Sequence, residues 1–135
     1  MSANDNVKVI QRVYEAFGRG DVAAILEALT DDVDWASEAA DAKGAPWYGL
    51  RRGHVGVAAF FEGFGSTMEV EEFTPVVFAA TDTEVLTVVH FRARVRASGR
   101  SIAMDLHHRF TFRDGKIAYY RGTEDTQQTV AALRG

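Results

Sequence analysis

No cysteine occurs among the 135 residues, so disulfides and thiolate metal sites are both ruled out. No apolar run approaches the ~20 residues that a membrane-spanning helix needs. No long run of Lys and Arg is present, and the formal net charge is −4, so the Arg92, Arg94, Arg96 stripe sits in an acidic chain. Neither nucleic acid nor an anionic membrane is therefore an expected partner. The start, Met-Ser-Ala-Asn-Asp-Asn, lacks the basic and apolar regions of a secretory leader, which makes the cytoplasm the expected location. Internal repeats, low-complexity tracts and linkers are also missing. No His-x-His or Glu-x-x-His grouping is present. His107 and His108 are adjacent, so in a strand they point to opposite faces and cannot share an ion. No metal site is expected.

What is present fits one soluble domain over residues 1–135. Hydrophobic residues make up 47% and charged residues 25%, ordinary values for a globular chain large enough to bury a core. Ile10, Val13, Tyr14 and Phe17 follow helical spacing and predict a helix from about Asn4 to Gly18. Gly20 can close it and Asp21 can cap a second helix carrying Val22, Ile25, Leu26 and Leu29. Asp31 to Trp35 alternates as a short strand. Residues 38–53 hold Asp41, Gly44, Pro46, Gly49 and Gly53 and read as a loop. Val57, Phe60, Phe61 and Phe64 mark a third helix.

From Glu69 the period changes to two. Strands are expected over 69–80, 84–97, 100–113 and 116–124, with turns near Asp82, Ser98-Gly99 and Asp114-Gly115. Asp125 then caps a short helix through Leu133. Three helices ahead of hairpin-linked strands predict an α+β fold: helices packed on one face of a strongly curved antiparallel sheet.

The most informative stretch is His107 to Ile117. Apolar residues alternate toward Asp114-Gly115, the pair best suited to positive φ at both turn centres. One polar residue, His108, lies on the apolar stripe of Met104, Leu106, Phe110 and Phe112. It must either find a buried partner or face a cavity.

This layout resembles the nuclear-transport-factor-like cone fold, and within it the SnoaL-like and ketosteroid-isomerase-like proteins. The marks are Gly20-Asp21, Asp31-Asp32-Val33-Asp34-Trp35, and Phe112-Arg113-Asp114-Gly115-Lys116-Ile117. The resemblance covers nearly the whole chain and implies an internal pocket. Aligned from Gly20-Asp21, the isomerase base position falls on Ser37, beside Glu38. The isomerase tyrosine falls on Val13, beside Tyr14, and its protonated acid falls on His108. The epoxide-hydrolase acid that follows the last-strand arginine falls on Gly122. Related proteins carry a bulge after the Gly-Lys-Ile, which would turn Tyr120, Gly122 and Glu124 inward.

The resemblance thus implies His108, Glu124 and Glu38 as catalytic candidates. Tyr14, Phe17, Trp35, Phe60, Phe64, Phe91 and Tyr120 become the expected ligand-binding wall, with Trp47, Tyr48 and Phe61 as further aromatic candidates. Glu124 either partners His108 or a substrate hydroxyl, or lies solvated at the cone's mouth. Glu38 is either a base or a solvated loop acid. Two functions stand. One is an enzyme needing neither metal nor nucleotide cofactor, doing general acid–base chemistry on a small hydrophobic oxygenated molecule as an isomerase, cyclase or hydrolase. The other is a non-catalytic ligand-binding or dimerisation module. His90, Arg92, Arg94, Asp105, His107 and Arg109 fall on the sheet's outer face, where a homodimer interface is expected because many relatives pair there.

Overall fold

A computed structural model describes residues 2–135. The elements run α1 (Ala3–Gly18), α2 (Val22–Glu27), β1 (Leu29–Ser37), β2 (Gly49–Arg52), α3 (Gly53–Thr67), β3 (Met68–Ala80), β4 (Glu84–Val95), β5 (Ser101–Arg113), β6 (Lys116–Thr123) and α4 (Thr126–Arg134). The architecture is the expected α+β cone, with a curled, unclosed sheet in the order β2-β1-β6-β5-β4-β3.

The sheet is mixed, which corrects the purely antiparallel expectation. β1 runs parallel to β6, while every other neighbouring pair is antiparallel. β2 lies inside the stretch read as loop. Its four residues pair with Asp34 to Ser37, a run too short to announce itself by alternation. Leu29 belongs to β1 and is fully buried; α2 stops two residues earlier. Helical and strand readings both bury that leucine, so spacing could not separate them.

The helices start where the sequence provides caps. Ser2 and Asp5 form a reciprocal capping box on α1, a residue or two ahead of the expected start. The Asp21 and Asp125 carboxylates accept from Ala24 N–H and Gln128 N–H at the starts of α2 and α4. The β5–β6 hairpin turns at Asp114 and Gly115, with φ of 52° and 81°, as the Asp-Gly pair predicts.

The expected bulge lies in β6. Phe112 pairs with Ile117, but Thr111 pairs with Tyr119, leaving Ala118 as the extra residue. Inward parity therefore passes from Ile117 to Tyr120 and Gly122. The core packs α1, α2 and α3 against the concave face through Ile10, Val13, Ile25, Val57, Phe60, Val85, Phe110 and Ile117. The opposite face carries the cross-strand ion pairs Glu72–Arg92, Glu69–Arg94 and Glu84–Arg109, and a hydrogen bond between His90 and Asp105. Among the described residues, no helix is long and apolar enough to cross a membrane.

Candidate functional site

Strand register builds the site row by row. Thr87, His108, Gly122 and Ser37 lie side by side across β4, β5, β6 and β1. The next row holds Val85, Phe110, Tyr120 and Trp35. α1 lies over the rows and lowers Tyr14 onto His108.

Between sheet and helices lies a cavity with about 80 Å³ open to the centres of water-sized molecules. That is room for several waters or a small ring. Its lining includes Tyr14, Phe17, Trp35, Phe60, Phe64, Phe91, His108, Tyr120 and Glu124. Trp47, Phe61, Phe73, Phe110 and Gly122 complete much of the wall. The aromatic rings meet edge to face or tilted, for example Trp35 with Phe60 and Phe17 with Phe64. Trp35 and Tyr120 instead stack, with centroids 4.0 Å apart.

His108 is anchored on one side. Its Nδ1 lies 2.7 Å from the Tyr14 hydroxyl, which lies 2.6 Å from the Thr87 hydroxyl. Proton counting assigns the directions. Thr87 is buried, and its hydroxyl has no acceptor but Tyr14 among the described residues. Thr87 O–H therefore donates to Tyr14, and Tyr14 O–H donates to His108 Nδ1. The reverse order would leave the Thr87 proton without an acceptor. The imidazole proton then resides on Nε2, the side without a protein partner.

Burial depresses the His108 pKa from 6.5 to about 3, with the nearby His107 adding to the effect. The ring is neutral at pH 7. Burial also pushes the Tyr14 and Tyr120 hydroxyls up, so both stay protonated. The cavity thus presents neutral donors rather than cations.

Glu124 follows β6. Its Oε2 accepts from Tyr48 O–H at 3.0 Å and from Thr129 O–H at 2.5 Å. Burial, and next the Glu124 charge, raise the Tyr48 pKa, which keeps that donor protonated. The second oxygen, Oε1, has no protein partner among the described residues. Glu124 therefore pairs with Tyr48 and Thr129, and His108 pairs with Tyr14. The carboxylate partner that the sequence suggested for His108 is not in contact with it.

Glu38 is not in the cavity. Ser37 points inward, so alternation turns Glu38 outward. Its carboxylate lies 3.7 Å from Arg121 Nε on the outer face, in a groove with Val77, Leu86, Val88, His107 and Tyr119. Only its backbone N–H faces β6, donating to Gly122 O. Glu38 is withdrawn as a base for this cavity. Val13, Ser37 and Gly122 do line it, at the positions the alignment indicated.

Sequence reasoning missed Thr87, Thr129 and the clamping role of Tyr48. Thr87 had a usable signal: it sits between Val85 and Val89 on a buried stripe, as His108 does on the neighbouring strand. Thr129 gave none, because a threonine inside a short terminal helix is unremarkable.

Residues 10–120 match the SnoaL-like domain family. No curated protein matches the chain. Among solved structures, an NTF2-like protein from Burkholderia xenovorans LB400 is 28% identical with a TM-score of 0.87, covering 98% of each chain. TerC, co-crystallised with polyporic acid, is 22% identical with a TM-score of 0.84, covering 97% of this chain and 99% of its own. A putative polyketide cyclase from Xanthomonas campestris is 20% identical with a TM-score of 0.80, covering 98% and 99%. With its bulged last hairpin, curled sheet and aromatic cavity, the chain belongs to the SnoaL-like family and has the NTF2-like fold.

Proposed function

We propose that this protein is an enzyme that moves a proton on a small, mostly apolar, oxygen-bearing compound. One observation carries the reading. A neutral imidazole is fixed at Nδ1 by Tyr14, and its other edge opens into the cavity that Glu124 also lines. A histidine with so depressed a pKa is a poor base. It is suited to donate Nε2–H to a carbonyl oxygen and to hold the enolate that forms. Glu124 Oε1 then takes the proton from the carbon next to that carbonyl. The C–H electron pair becomes the enolate C=C bond, and the carbonyl π pair goes to oxygen. Return of the proton at another carbon is isomerisation; attack of the enolate carbon on a second carbonyl is cyclisation. The apolar wall excludes water and fits a flat or alicyclic body. That similar structures are described as a putative polyketide cyclase or hold polyporic acid agrees with this substrate size and class.

The test is hydrogen–deuterium exchange at the α-carbon of a panel of enolisable ketones, followed by NMR. Wild type should accelerate exchange for at least one member. Glu124→Gln and His108→Ala should each lower that rate ~100-fold or more. Exchange unchanged by both substitutions refutes the roles. A binding module is the second reading, favoured by the two protein donors already on Glu124. Tight binding without exchange across the panel would establish it.

A homodimer through the outer face is also proposed. Support comes from Val77 and Leu86, about half exposed at 47% and 51% on the sheet's outer face among the described residues.

A further inference from the structure

We propose that the Glu124 end of the cavity binds the ammonium group of an amine carried on a small apolar ring, with the Glu124 carboxylate as its counter-ion. An amine seated there covers Oε1, the oxygen assigned to proton transfer, so it is a ligand that competes with the substrate. The inference does not depend on that chemistry. It needs only a fixed carboxylate that faces an aromatic cavity.

Among the described residues that line the cavity, Glu124 alone carries a charge. Lys and Arg are missing from the lining, and burial keeps the His108 imidazole neutral. The outer-face acids Glu69, Glu72 and Glu84 each hold an arginine, whereas Glu124 enters no ion pair among the described residues. Its Oε2 is satisfied by the Tyr48 and Thr129 hydroxyls. Both donors are neutral, so they leave the negative charge in place. Thr129 is fully buried and Tyr48 is 4% exposed, so the donors are held, and they hold the carboxylate. A charge already fixed in position loses little freedom when a ligand arrives.

Rings continue the site. Trp47 packs edge to face on Tyr48 with centroids 5.6 Å apart, and Phe64 does the same on Trp47 at 5.2 Å. Trp47, Phe64 and Phe91 all line the cavity. The faces of such rings attract a cation, those of indole most strongly.

The arrangement selects among cations. A guanidinium binds best as a fork across both carboxylate oxygens, and Oε2 is already taken. A calcium or magnesium ion needs six or more oxygens, and the described residues hold no group of three acidic, histidine or cysteine side chains. An ammonium needs one free oxygen, and its carbon body finds an apolar wall. A ligand carboxylate would meet a like charge where water screens it poorly.

The probes are benzylamine, benzyl alcohol and benzoate, which share one ring and differ in charge. Titrations at neutral pH and low salt can be read from the fluorescence of Trp35 and Trp47, the two tryptophans of the chain. Wild type should bind the amine at least ~10-fold more tightly than the alcohol, and benzoate at least ~10-fold more weakly. Glu124→Gln should bring the three within about threefold of one another by losing amine affinity and gaining benzoate affinity. Phe64→Leu should weaken the amine about 3- to 10-fold more than the alcohol. Amide NMR of the wild type needs no variant: benzylamine should move the signals of Thr123, Glu124 and Thr129. Equal binding of amine and alcohol, an amine preference that survives Glu124→Gln, amide shifts confined to other surfaces, or no amine binding at about 10 mM overturns the site. If α-carbon exchange depends on Glu124 while the three probes bind equally, the ammonium site fails and the proton-transfer reading stands. If the charge order holds and no ketone exchanges, the ammonium site stands and that reading fails.

Discussion

Replacing Tyr14 with Phe isolates the contact on which the site depends. The ring stays, with its edge-to-face packing on Phe73 at 5.1 Å, so no cavity opens in the core. Only the hydroxyl leaves, and with it the 2.6 Å contact to Thr87 and the 2.7 Å contact to His108. Two polar groups then lack partners: the Thr87 hydroxyl and His108 Nδ1. Thr87 is 3% exposed, too enclosed for water to replace the phenol. Each orphaned group costs about 1–3 kcal/mol. His108 can recover part of its share by moving its proton to Nδ1 or by recruiting a cavity water. The expected loss is therefore about 2–4 kcal/mol, well above the few tenths typical of a surface change. For a chain of this length that lowers the melting temperature by roughly 5–15 °C. Denaturant unfolding measured beside Thr87→Val completes the assay. Thr87→Val removes one bond and leaves Tyr14 donating to His108, so it should cost about 1 kcal/mol. A Tyr14→Phe protein within ~0.5 kcal/mol of wild type would refute the relay.

Three further outcomes are expected. Because the folded pKa of His108 lies at about 3, below its ordinary 6.5, the unfolded chain binds the extra proton first. Its contribution is fully present above pH 6.5 and is lost as pH falls toward 3, at a slope of up to ~1.4 kcal/mol per pH unit. Wild type minus His108→Asn should show that slope between pH 4.5 and 6, since the carboxylates common to both proteins cancel in the difference; parallel curves would contradict it. Glu124→Gln retains an acceptor oxygen for Tyr48 and Thr129, so it should fold with little loss while α-exchange drops ~100-fold; equal rates would remove Glu124 from the chemistry. Light scattering at ~100 μM should show a dimer that Leu86→Asp dissociates; a wild-type monomer would end the interface proposal.

Much of the fold was legible because its signals are local. The Asp114-Gly115 turn, the change of period near residue 68 and the Asp caps each depend on a few adjacent residues. The parallel β1–β6 pairing is different: it joins residues about 85 apart through backbone bonds that leave no mark on either strand. β2 was hidden by its length and its glycine. In the site, His108 and the aromatic wall could be found because polarity breaks a stripe and the bulge sets parity. Glu38 was misplaced because its loop position suggested freedom, whereas β1 continues through Ser37 and fixes its direction. Tyr14 on α1, the partner of His108, and Tyr48, a partner of Glu124, are both distant in sequence from the residues they bond, and only the packed structure joins them.

The central claim is that His108 is neutral and holds its proton on Nε2, facing the cavity. Nitrogen-15 NMR of histidine-labelled protein measures this directly. One of the four histidines should show the Nε2–H tautomer with shifts that stay constant from pH 8 to about 4.5, and that signal should vanish in His108→Asn. A His108 signal that titrates near 6.5, or one that carries its proton on Nδ1, would contradict the account.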